Sequence, residues 1–285
     1  MTDGITKRIS TGKQIVFYTL ILIAALGMLY PILWMISSSL KPEADIFTQV
    51  GLIPKRITFE NYVTGWAGTS GITFTTYYKN TLVMVIIAII GNVFSCTLTA
   101  YAFARLDFRF KSVLFGLLMA TIMLPQHASL IPQYMLFDKL DWLNSIKPIV
   151  VPKFFATDAF FCFLLVQFIK GLPRELDQAA SIDGCGEFGI FSRIIVPLML
   201  PAIVTVTIFT FLWTWNDFFF QLIYINNPNK FTIALGLRSF LDATGKSSYG
   251  SLLAMSLTSI IPILLLFIFF QKLLIEGIAT SGLKG

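Results

Sequence analysis

The sequence predicts an all-α integral membrane protein with six transmembrane helices, and three observations predict it. Hydrophobic residues make up 56% of the 285 positions and charged residues only 13%, too few to cover a soluble domain of this length. Uncharged runs long enough to cross a hydrocarbon core, at about 20 residues each, recur along the chain, and mean hydropathy is +0.78. Between them no stretch exceeds roughly 40 residues, well short of a typical domain, so residues 1–285 read as a single transmembrane domain.

Five runs are clear: Gln14–Leu40, Asn80–Ala104, Ser112–Phe137, Ile194–Asn216 and Ser247–Gln271. A sixth, Ile149–Ile169, carries Lys153 and Asp158, yet the connections around it demand a crossing. The first run is too long for the apolar core of a cleavable signal peptide and lacks a small-residue cleavage site, so it is expected to remain as the first helix. Pro31, Pro125, Pro201 and Pro262 fall inside or near the ends of these helices, where a missing backbone bond permits a kink.

Several residue types exclude other chemistries. Cys96, Cys162 and Cys185 are far apart and without metal-ligand spacing, so neither a disulfide framework nor a zinc site follows. The single histidine, His127, lies between Pro125 and Pro132 and reads as a polar residue at a kink. Gly245-Lys246-Ser247 imitates the end of a phosphate-binding loop, but Phe240 stands where that loop needs glycine. The net charge of +6 suits anionic lipid headgroups and does not imply nucleic acid.

The most informative segment is polar, Lys170–Leu198, between the fourth and fifth runs. Pro173 suits a first helical turn, and Glu175 and Asp177 follow where the helix dipole favours acids, so the spacing predicts a helix from about Pro173 to Ile182. Asp183-Gly184 is a stop-and-turn pair, after which Phe188, Phe191, Ile194 and Ile195 recur at helical spacing before Pro197. Two short helices meeting at a bend are not stable alone in water and must pack on the membrane segments or on a partner. The segment is therefore a docking element.

Within it, Gln178-Ala179-Ala180, then Gly184, then Ile194, Val196 and Pro197 resemble the EAA loop signature of ABC-importer permeases, with matching spacing throughout. Ile182-Asp183-Gly184, Trp215-Asn216-Asp217-Phe218 and the closing Gly277-Ile278-Ala279 through Gly285 are similar to the carbohydrate-uptake branch, specifically its second, maltose-type subunit. The resemblance implies a type I ABC-importer permease fold, with 170–198 as a cytoplasmic coupling loop and about 41–79 as the first extracytoplasmic loop. It also implies that Glu175, Gln178, Ala179, Ala180, Asp183, Gly184 and Phe188 contact the ATPase. Gln178 replaces the family's first acid and cannot form an ion pair, which leaves Glu175, three residues earlier on the same helical face, to take a charge contact there.

Charges inside a bilayer are costly and usually face protein or water, which singles out Asp158 near mid-membrane, with Lys153 toward the outer interface. Asp158 either lines a solute cavity or hydrogen-bonds a neighbouring helix. Trp215, Asn216 and Asp217 offer the indole, amide and carboxylate that stack on and hydrogen-bond a sugar, although tryptophan also suits an interfacial belt. Both termini are expected in the cytoplasm, chiefly from the topology that the resemblance implies, with the clustered Arg105, Arg109 and Lys111 and the basic residues before the first helix in agreement.

The implied assembly is a multi-pass chain of the bacterial inner membrane, non-catalytic itself, paired with a second homologous permease, two cytoplasmic ATPase subunits and an extracytoplasmic solute-binding protein. No cofactor is expected in this chain; ATP and Mg belong to the ATPase. Import of a non-sugar solute (amino acid, peptide or phosphonate) is the nearer alternative. An ion-coupled carrier would need buried acidic or histidine relays and internal repeats, and only scattered charges are present.

Overall fold

The computed structural model describes residues 11–49, 51–69, 71–241 and 247–282; Lys7, Arg8, Gly245, Lys246 and Lys284 fall outside them. The chain divides into two compact units, residues 1–69 with 240–258, and residues 70–239 with 259–285.

In the first unit, α1 (Thr11–Ser39, with Pro31 inside it) leads into a tightly tied connection and then α2 (Glu60–Ala67). Lys41 is completely buried, and its ammonium donates to the carbonyls of Gln49 (2.8 Å) and Gly51 (2.9 Å). A buried ammonium is tolerable only with such partners. Asn61 in α2 donates to the carbonyls of Ser39 (2.8 Å) and Lys41 (2.7 Å). Glu43 accepts from the amides of Tyr249 (2.7 Å) and Gly250 (2.8 Å), where an acid complements the unpaired N–H groups of a helix start. This part of the first connection is thus closely tied.

The second unit is organised on α3 (Phe74–Arg105), which packs along α7 (Ala159–Lys170) and α11 (Leu200–Asn216). Tyr77, Thr81, Met84, Ala88, Asn92 and Cys96 recur every three or four residues and form its buried face. The apolar core at one end gathers Ala100, Phe161, Leu165, Ile169, Met199 and Val206.

Among the described residues four helical segments, Gln14–Ser39, Phe74–Arg105, Lys147–Lys170 and Tyr249–Gln271, are long and apolar enough to cross a membrane, and the number is six when each of two bent pairs is counted as one span. The bends lie beside Pro125 and Pro201, where the sequence permits a kink. In the third span, α4 (Lys111–Ile122) stops ahead of Pro125, a 3-10 turn over Gln126–Ser129 intervenes, and α5 (Leu130–Lys139) leaves at 99°. A residue preceding proline is biased out of the helical region, and at Pro125 the chain leaves the helix.

The fourth span is also interrupted. It consists of α6 (Lys147–Val150), a 3-10 turn over Pro152–Phe155 and α7. Ala156 stands between them at φ 53°, and Asp158 lies just before α7, outside any helix. The turn over Pro152–Phe155 brings Lys153 back to Asp158.

The polar segment between the fourth and fifth spans forms α8 (Glu175–Ile182) and α9 (Glu187–Ile190), followed by a π turn over Phe191–Ile195, α10 (Val196–Leu198) and α11, with a 74° bend at Met199. Pro197 and Pro201 each lack the amide that a continuous ladder would need there. Beyond α11 come α12 (Phe219–Tyr224), α13 (Ile233–Arg238) and α14 (Tyr249–Gly282, with Pro262 inside it).

Candidate functional site

Three places carry the sequence-predicted residues, all within the second unit. At the first, the 170–198 loop turns at Gly184, whose φ of +83° is the left-handed conformation that glycine adopts without a Cβ penalty. Glu175, Gln178, Ala179, Asp183 and Phe188 are all exposed. The apolar tip is unusual for an exposed bend: Ile182 is 87% exposed and Phe188 75%. Ala180 departs from its expected surface role, because its side chain is buried against the core with Ile190 and Cys185.

The loop is held by groups that the sequence reading used only to count charge or did not use. Arg105, at the last turn of α3, brings Nε within 2.8 Å of Asp177 Oδ2, and its Nη2 donates to the Leu172 carbonyl at 3.0 Å. The Tyr101 hydroxyl donates to Glu187 Oε2 at 2.8 Å. Gln178 and Ser181 join these side chains in lining a polar groove of about 220 Å³. Within the chain the loop's ion pair is made by Asp177, and Glu175 is exposed. Arg105 and Asp177 are 72 positions apart in the chain, and no sequence pattern links them.

At the second place Asp158 is enclosed by polar partners. Lys153 Nζ donates to Asp158 Oδ2 at 2.7 Å, and Asn92 Nδ2 donates to the same oxygen at 2.8 Å and to Thr210 Oγ1 at 2.9 Å. Ser95 Oγ donates to the Lys153 carbonyl at 2.6 Å. Asn92 is fully buried on α3 and Thr210 is buried on α11, so the cluster ties three spans together. Of the two roles open to Asp158, a hydrogen bond to neighbouring helices is the one this geometry displays.

The Trp215-Asn216-Asp217 run is split by the structure. Trp215 is buried, its Nε1 donates to the Ser259 carbonyl at 3.2 Å, and its ring stacks on Phe211 (centroids 5.1 Å, interplanar 13°). In this chain its contacts are packing contacts. Asn216 is exposed and donates to Leu212 O in its own helix at 2.8 Å. Asp217 Oδ1 accepts from the Phe220 amide at 3.1 Å, capping α12. His127, at the break in the third span, is exposed and meets the Phe219 ring edge-on at 4.9 Å between centroids.

The fold as a whole is shared with known proteins. Residues 96–279 match the family described as the binding-protein-dependent transport system inner membrane component. The chain belongs to that family. This transport component is 34% identical over 270 residues to the probable ABC transporter permease protein YurM of Bacillus subtilis, covering 95% of this chain and 87% of that one. It is also 34% identical to the arabinooligosaccharides transport system permease protein AraQ of the same organism, covering 90% of this chain and 91% of that one. A crystal structure of a bacterial ABC transporter for import of the acidic polysaccharide alginate contains a chain of the same fold, with a TM-score of 0.82 and 23% identity, covering 93% of this chain and 98% of that one.

Proposed function

We propose that this chain is a transmembrane permease subunit of an ATP-driven importer of oligosaccharides or related sugars, with ATP and Mg bound by separate ATPase subunits. The observation that carries the proposal is the 170–198 loop: a bent helical pair projecting Ile182 and Phe188 while its base is fixed to α3. Exposed apolar side chains on a firmly held polar loop gain most from a complementary socket. That loop sits where the family signature lies, and the sugar-transport name of AraQ supports the substrate class.

In this reading both termini and the loop are cytoplasmic, and a second homologous permease, two ATPase chains and an extracytoplasmic binding protein complete the assembly. ATP draws the ATPase subunits together, the loop moves with the cleft that holds it, and the spans rock between outward and inward openings. Asn216 and Asp217, exposed and half-buried at the end of α11, are the side chains of the Trp215–Asp217 run available to a solute.

The test is isolation of the assembly from its native membrane in mild detergent, followed by ATP hydrolysis assays with binding protein and a panel of neutral and acidic oligosaccharides, amino acids and peptides. Co-isolation of an ATPase and stimulation by an oligosaccharide are expected. Stimulation by an amino acid or peptide alone would move the assignment to the non-sugar alternative, and absence of any associated ATPase would overturn it.

A further inference from the structure

The base of the loop is tied sideways as well as along the chain. Asp177 belongs to α8 and Glu187 opens α9, on opposite sides of the Gly184 turn, yet both are gripped by the same helix end, through Arg105 and Tyr101 of α3. The Arg105 side chain is only 5% exposed and that of Asp177 20%, so water competes poorly for this pair and a displacement of the loop must either carry α3 or break it. The guanidinium also holds the Leu172 carbonyl at the start of the loop.

The covalent route is less stiff on one side. Between α9 and α11 the chain passes a π turn and a 74° bend, where the regular backbone ladder is interrupted, so a push on the loop is taken up partly at Met199. By contrast, α3 is an unbroken helix from Phe74 to Arg105 that lies against both α7 and α11. A rigid helix gripped at one end moves as a lever, and its partners along the buried face move with it.

We infer that Arg105 and Tyr101 are positioning residues that carry loop displacement into α3, making α3, which has no direct chain connection to the loop, the member that transmits it to the spans. This rests on the reading that the loop docks on an ATPase.

The experiment uses the complete transporter reconstituted in liposomes, measuring sugar accumulated per ATP hydrolysed and co-isolation of the ATPase. Arg105→Gln and Tyr101→Phe are each expected to keep the ATPase bound and hydrolysing while sugar moved per ATP falls at least about fivefold, the scale of a coupling free energy of about 1 kcal/mol. The exchange Arg105→Asp with Asp177→Arg is expected to recover coupling in part. A merely structural contact would lower assembly and both activities together, with sugar per ATP unchanged, and that result overturns the inference. If Arg105→Gln does not assemble, Tyr101→Phe decides the matter, since it removes a single hydroxyl from a folded helix: unchanged sugar per ATP overturns the proposal and a fall supports it. Failure of the underlying reading is visible separately, as wild-type protein that binds no ATPase.

Discussion

Gly91 of α3 lies against the ring of Phe154, so closely that a methyl group on Gly91 would stand 2.6 Å from Cδ2 and 2.7 Å from Cε2. Phe154 belongs to the 3-10 turn that presents Lys153 to Asp158, and the missing side chain is what lets α3 approach that turn. Gly91→Leu is expected to cost about 1–3 kcal/mol in thermal or denaturant stability, the usual range for forced overpacking. Gly91→Ala should be tolerated better with Phe154→Ala than with Phe154 intact, and a double-mutant cycle of unfolding measures that coupling.

Lys153 and Asp158 form a half-buried ion pair, with side chains 23% and 19% exposed. Removing one partner strands a charge among helices, so Lys153→Met is expected to destabilise more than the combined Lys153→Met/Asp158→Asn. Partial exposure discounts the cost to about 1–3 kcal/mol. Unfolding in detergent checks the order; a double variant less stable than the single one would contradict it.

Asn92 holds both Asp158 and Thr210, and its amide cannot be replaced by an apolar group without leaving those acceptors short. Asn92→Leu is expected to lower stability by about 1–2 kcal/mol, since polar contacts between membrane helices are individually modest. Comparing Asn92→Leu and Thr210→Val in a double-mutant cycle separates their shared bond from general repacking.

Trp215→Phe keeps an aromatic ring on Phe211 and removes the donor to Ser259. A stability loss of about 1 kcal/mol is expected, with the sugar concentration for half-maximal uptake unchanged. Asn216→Ala and Asp217→Ala should shift that uptake concentration instead, and equal effects from all three substitutions would put Trp215 back on the solute route.

Gly184 is the hinge of the loop, at φ +83°. Gly184→Val is expected to cost about 1–2 kcal/mol locally and Gly184→Asn less, because asparagine tolerates the left-handed region and a β-branched side chain does not. Protease sensitivity of the 170–198 loop measures the difference.

Much of this arrangement was legible in the residues themselves. Long uncharged runs separate from polar connections through composition alone, so the predicted runs overlap the helices of membrane-spanning length, with starts offset by up to seven residues. The bend of the loop was readable because Asp183-Gly184 acts locally: glycine at a helix end needs no distant partner to adopt its conformation. Less was readable where proline met a long apolar run. Pro125, Pro197 and Pro201 marked places where a kink was possible, but the 99° and 74° angles depend on what packs against each limb.

The sequence by itself determined the solvent of this chain, its spans and the nature of its exposed loop, because hydropathy and turn chemistry act over a few neighbouring residues. Only the tertiary structure decided who partners whom. Arg105 with Asp177, Lys153 with Asp158 and Asn92, and Trp215 with Ser259 are settled by how helices distant in the chain cross. A charge or an indole then takes the partner that folding leaves within about 3 Å, which one-dimensional spacing does not encode.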